Sequence, residues 1–115
     1  MDIQTFIDKL NQNPESVQFT ETINIIDFHY DFTETEFRNY RHINLAGQNN
    51  GSCKIFSFAK LHNLSKEATL ACFGDFYRKD VLQNPQANDH QNIRSFMSAG
   101  WDGISFSNQA LAPRS

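Results

Sequence analysis

The chain has 115 residues, 39% of them hydrophobic and 13% aromatic, with eleven Phe and a formal net charge of −3. That is enough apolar material for one domain with a Phe-rich core that needs neither disulfide nor metal, and too much for a disordered chain. A pI near 5.7 and the lack of any Lys/Arg block exclude a phosphate-tracking nucleic-acid surface.

No apolar run approaches the roughly 20 residues that a membrane-spanning helix needs. The start, MDIQTFIDKL, has an acid at position two and no uninterrupted apolar stretch, so it does not read as a secretory signal peptide. Cys53 and Cys72 then read as free thiols in a reducing compartment, and the expected location is the bacterial cytoplasm.

Ile3, Phe6, Ile7 and Leu10 recur at helical spacing and predict an amphipathic first helix. Asn13-Pro14 ends it and starts a second, with Asn13 as cap, Pro14 in the first position and Glu15 near the positive end of the dipole. This helix is expected to run to about Tyr30. Phe19, Ile23, Ile26 and Tyr30 form one face, and Val17, Ile25 and Phe28 broaden it.

From Asp31 the helical period fades, and a turn followed by a short strand near Glu36–Tyr40 is predicted. AGQNNGS is a loop, with Asn50 or Ser52 as cap for a helix over about Ser52–His62. Ile55, Phe56, Phe58, Ala59 and Leu61 surround that helix, leaving Lys54, Ser57 and Lys60 as a narrow polar stripe. A helix apolar nearly all round is central. Ser65 caps a long helix through Ala71, Phe73, Phe76 and Val81, stopped at Asn84-Pro85. Gly74 inside it means either a close backbone neighbour or a bend. A last helix spans about Asp89–Ala99, with Ile93, Phe96 and Met97 inward and Gly100 as its stop. Trp101-Asp102-Gly103 turns the chain into a strand at Ile104–Ser107, which pairs most cheaply with the one near Phe37. The expected fold is mainly α (α+β): a single compact domain over 1–112, of about five helices with a short two-stranded β-ribbon, and a loose tail at 113–115.

GQNNGSCKIFSFAKL, CFGDFYRKDVLQNP, DHQNIRSFM and GWDGISF, together with the earlier FTETEF, resemble the HopJ type III effector family. The resemblance covers nearly the whole chain. One departure is RNYRHIN after Phe37, where the family pattern has Asn-Gly, the favoured chemistry of a tight hairpin turn. The resemblance implies a small bacterial protein in a family named for one delivered into plant cells by a type III secretion apparatus. It implies no agreed biochemical activity and no established catalytic residues. The Gln, Asn, Thr and Ser content of the N-terminal stretch suits an export signal, and the same residues make a respectable helix.

Three constellations could carry chemistry. Cys53 falls in the first turn of a helix behind Asn49-Asn50-Gly51-Ser52, where unpaired N–H groups and the dipole favour a thiolate. Gln48 ahead of Gly51-Ser52-Cys53 superficially resembles the papain-type arrangement, but the spacing is one residue short. Only His62 and His90 follow as bases, so a catalytic pair would be Cys53 with His90; the weightier reading is a packed thiol. Cys72, mid-helix between Ala71 and Phe73, reads as core.

Asp75, Arg78, Lys79 and Asp80 have the spacing of ion pairs within one helix. Asp75 and Arg78 could also meet Gln48, Asn49, Lys54, His90, Gln91 and Asn92 in a polar pocket over two helix N-termini, a natural place for an anion or carboxylate. Asp27, His29 and Asp31 fit a metal poorly, because His29 points away from the face shared by the two acids. No metal is expected. No cofactor is expected either, since neither a phosphate-binding Gly-rich loop nor a Gly-x-Ser-x-Gly elbow is present. Trp101 reads as a lid on the core.

The functional expectation is a protein that binds a partner protein or a small anionic ligand through the face near Asn49, Cys53, Arg78 and His90, with no nucleic acid and no membrane. The alternatives are a small hydrolase or transferase with Cys53 as nucleophile, and an exported effector that folds around a host protein without any pocket.

Overall fold

A computed structural model describes residues 2–114. Helix α1 (Ile3–Gln12) starts at Asp2, whose carboxylate accepts the Thr5 N–H at 2.7 Å, and it buries Phe6 and Leu10 as its spacing requires. Asn13-Pro14 does not open a continuous second helix. Pro14–Ser16 is a single 3-10 turn, Val17 turns extended and is fully buried, and helix α2 begins only at Phe19. The cause lies far along the chain: the Arg78 guanidinium takes the carbonyls of Pro14 (3.1 Å) and Val17 (2.5 Å). Helix α2 (Phe19–His29) packs on Thr22, Ile25 and Ile26, while Phe28, expected on the buried face, is 75% exposed. Lys9 and Glu21, 2.8 Å apart, tie α1 to α2.

Two small antiparallel sheets complete the body. Strand β1 (Tyr30–Phe32) follows α2 directly and pairs with β5 (Leu111–Pro113), Tyr30 opposite Pro113. Strand β2 (Phe37–Asn39) is the middle of a three-stranded sheet between β3 (His42–Asn44) and β4 (Ile104–Phe106). The predicted pairing is present, Phe37 opposite Phe106, but the expected two-stranded ribbon has a third strand and a companion sheet. The hairpin from β2 to β3 forms without Asn-Gly. Tyr40 takes the left-handed conformation (φ 58°) and its N–H donates to the Gly103 carbonyl at 2.8 Å, so tertiary contact replaces turn chemistry. Pro113 and Arg114, expected in a loose tail, are held. Arg114 N–H donates to the His29 carbonyl at 3.0 Å and its guanidinium lies 3.2 Å from Asp31; Ser115 lies outside the described residues.

Helix α3 (Asn50–Leu61) is central, as its all-round apolarity predicts: Cys53, Ile55, Phe56, Phe58 and Ala59 are all fully buried. The Phe56 ring lies 5.0 Å from Phe96, 5.5 Å from Phe73 and 6.1 Å from Phe37, joining helices and sheet in one aromatic cluster. Ser65 caps α4 (Lys66–Ala71) through the Ala68 N–H. The predicted long helix through Val81 is broken after α4. Gly74 takes φ +60°, the path resumes as a π-helical turn over Phe76–Val81, and α5 (Gln91–Ala99) follows a loop. Both readings of Gly74 hold at once. A Cβ there would lie 2.5 Å from the Phe19 backbone nitrogen, so the chain bends where another backbone crosses it. Gly100 ends α5, and the Trp101 indole N–H caps the Leu64 carbonyl at 3.1 Å.

Gly74→Ala therefore combines positive-φ strain with a collision that no side-chain motion relieves. It is expected to cost on the order of 2–3 kcal/mol, lowering Tm by about 10 °C in a thermal melt followed by circular dichroism. A melt within experimental error of the parent would contradict the close approach.

Candidate functional site

The starts of α3 and α5 face a common cleft of about 490 Å³. Asn49, Gly51 and Ser52 line one side and His90, Gln91, Asn92 and Ile93 the other, with His42 at the rim and Phe19, Phe73 and Phe76 as an aromatic floor. Asn49 and His90 are the residues immediately before the two helices, and both are left-handed (φ 53° and 50°) rather than in the usual extended cap conformation. Neither side chain caps its own helix. The Asn49 amide donates instead to Asn44 Oδ1 at 2.7 Å, and His90 Nε2 lies 3.0 Å from Asp80 Oδ2. The N–H groups of Gly51 and Ser52 in α3 and of Gln91 and Asn92 in α5 therefore have neither an intrahelical acceptor nor a side-chain cap, whereas Cys53 donates to the Asn49 carbonyl and Ile93 and Arg94 to that of His90.

A buried asparagine network brings these two helix starts together. Asn92 Nδ2 donates to Asn44 Oδ1 at 2.9 Å, while Asn92 Oδ1 accepts from Asn44 (3.2 Å) and Asn39 (3.1 Å). Asn39 also donates to the Asn92 backbone carbonyl at 2.8 Å. Asn39 and Asn44 are fully buried and belong to β2 and β3, so the hairpin holds α5 by its first turn and α3 through Asn49. On the outer side the His90 ring lies 5.1 Å from Phe76, which meets Phe19 edge-on at 5.0 Å. Asp89 is salt-bridged to Arg94 at 2.7 Å, and that hydrogen bond holds its carboxyl below the usual range.

Of the residues the sequence nominated, Asn49, His90, Gln91 and Asn92 meet in this cleft. The others are engaged elsewhere. Gln48 accepts the Leu45 N–H in a local turn (3.0 Å), and Lys54 pairs with Asp27 at 2.8 Å. Asp75 accepts from Arg78, whose guanidinium is the clasp on the Pro14–Val17 segment. The aromatic floor and the Asn39–Asn44 support escaped sequence reasoning. Their one local signal was an Asn at the inward register of Phe37, where a strand facing the core should be apolar. Among the described residues no group of three His, Cys, Asp or Glu is placed to hold a metal ion, and no helix is long and apolar enough to cross a membrane.

Cys53 is fully buried, with its sulfur 3.7 Å from the Thr35 carbonyl. Burial pushes its thiol up, against smaller lowering contributions from the Ser57 hydroxyl and Thr35. The hydrogen bonds of the candidate bases run elsewhere, His90 to Asp80 and His62 Nε2 to the Tyr30 hydroxyl at 2.7 Å. Cys72 is fully buried as well, and desolvation pushes its thiol up to about 12.

The model of the HopJ type III effector protein family matches residues 3–111, and the chain belongs to that family. A crystal structure of a protein of unknown function, VPA0580, superposes with a TM-score of 0.97 at 54% identity, covering 99% of this chain and 95% of that one. No curated protein matches.

Both thiols of the folded chain are expected to resist iodoacetamide at mildly alkaline pH and to label fully once guanidinium unfolds it. Labelling of Cys53 in the folded protein with a midpoint below the roughly 8.5 of a free thiol would restore the nucleophile reading.

Proposed function

We propose that this HopJ-family chain is a binding protein whose cleft between the starts of α3 and α5 takes a small anionic ligand, a carboxylate joined to an apolar body. The observation that supports this reading is the convergence of two helix starts without side-chain caps on one cavity. Each helix presents about half a positive elementary charge at its start together with unpaired N–H groups. The N–H groups of Gly51 and Ser52 on one side and Gln91 and Asn92 on the other are the donors that a carboxylate would meet. The apolar body of the ligand would lie on Phe19, Phe76 and Ile93, in keeping with binding sites that place a few polar groups over an apolar lining. The burial of Cys53 favours binding over covalent chemistry.

Sodium benzoate is a suitable probe, read in amide nitrogen–proton correlation spectra. Saturable shifts are expected at Gly51, Ser52, Gln91 and Asn92. Ser52→Asp, which supplies the first turn of α3 with its own carboxylate, should leave the fold intact and weaken binding at least about tenfold, roughly 1.4 kcal/mol. Millimolar benzoate that shifts none of these amides, or binds the variant equally well, would contradict the assignment.

Family membership also supports delivery through a type III secretion apparatus. An epitope-tagged chain is expected in the medium of cells with an active apparatus and absent from the medium of cells lacking it. Retention in both strains would count against export.

A further inference from the structure

We propose that the groove between the C-terminal half of α3 and the open edge of β4 docks an extended segment of a partner protein. That segment carries one acidic side chain flanked by apolar ones. The sheet order leaves β4 with β2 as its one neighbour. The bonds Tyr40 N–H to Gly103 O (2.8 Å) and Ser107 N–H to Glu36 O (3.0 Å), with Arg38 opposite Ser105, fix the parity of the ladder. Ser105 exchanges hydrogen bonds with β2, so the peptide groups of Ile104 and Phe106 point to the open edge. The Ile104 N–H is taken by the Trp101 carbonyl. The Ile104 carbonyl and both backbone groups of Phe106 remain for an added strand.

Two clefts, of about 460 and 330 Å³, flank this edge, and Lys60 lines both. Leu61, Phe106 and Leu111 wall the first, and Leu64, Trp101 and Ile104 the second. Lys60 closes the polar stripe that begins with Lys54. Lys54 is neutralised by Asp27, but Lys60 meets no carboxylate among the described residues and rests 5.6 Å above the Phe106 ring. Ser57, one turn earlier, lines the first cleft. Its Oγ is buried beside the Cys53 sulfur. Leu61, at 49% exposed, leaves apolar surface in the wall of the same cleft. An unpaired cation between two apolar hollows along a strand edge fits a particular occupant. Side chains of an added strand point to one face at every second residue. An apolar–x–acid–x–apolar segment would therefore place its carboxylate at Lys60 and an apolar side chain in each cleft.

The test uses the peptide acetyl-Leu-Thr-Glu-Thr-Leu-amide and its counterpart with Lys for Glu, titrated into the full chain. Shifts are expected at the Lys60 and Phe106 amides, with slowed hydrogen exchange at Phe106 and little change at Gly51 or Gln91. The Glu peptide should bind severalfold more tightly than the Lys peptide, and Lys60→Glu, on an exposed position, should invert that order. No shift at β4 with millimolar peptide would overturn the proposal, and so would equal binding of the two peptides. Free glutamate producing the same shifts at the same concentration would also overturn it, in favour of a small-molecule subsite.

Discussion

Four asparagines, Asn39, Asn44, Asn49 and Asn92, hold the two helix starts at the cleft in register. Buried amides are costly unless their hydrogen bonds are met; the buried Asn39, Asn44 and Asn92 bond one another between the β2–β3 hairpin and α5, leaving Asn39 Oδ1 without a partner, and the more exposed Asn49 joins them through Asn44. Asn44 is the hub: its Oδ1 accepts from both Asn49 and Asn92, so a single carbonyl joins the approach to α3 to the first turn of α5. Asn49 turns its amide nitrogen to that link from a left-handed backbone, and its side chain makes no capping bond to its own helix. The same network that joins the two helix starts thus accompanies the uncapped N–H groups that face the cleft.

A second constraint acts from the opposite side. Phe19 supports the cleft floor, and its position depends on the crossing of Gly74 over the start of α2. Arg78, one turn beyond that glycine, clasps the segment leading into α2. A guanidinium with three neighbouring acceptors is well matched to such a clasp. It has little left to offer a ligand, which is why a residue that reads as a binding cation from its sequence context serves the fold instead.

The sequence was most legible where one element's own residues decided its state. The spacing of Ile3, Phe6 and Leu10, the Ser65 cap and the all-round apolarity of α3 each predicted what the structure contains. The pairing of Phe37 with Phe106 followed from scarcity of partners. Legibility failed where distant contacts override local preference. Gly74 signalled a close backbone neighbour or a bend, but nothing within the run from Lys66 to Val81 says that the start of α2 is what crosses there, and three-residue strands such as β1 and β5 carry too little periodicity to announce themselves. Asn49 and the His90–Asn92 run of the candidate site were visible because they sit at helix starts. The supporting Asn39 lay in the predicted strand and Asn44 in no predicted element, and the hairpin places both in the interior.

The joining of the two helix starts depends on the coupling of Asn44 and Asn92. A double-mutant cycle with Asn44→Ala and Asn92→Ala, measured by urea unfolding, isolates the paired amide contacts at 2.9 and 3.2 Å. Strong non-additivity is expected, with the double variant less destabilised than the sum of the singles by about 1 kcal/mol or more. Additivity within about 0.5 kcal/mol would mean that the two residues act independently, and that something other than the asparagine network holds the two helix starts together.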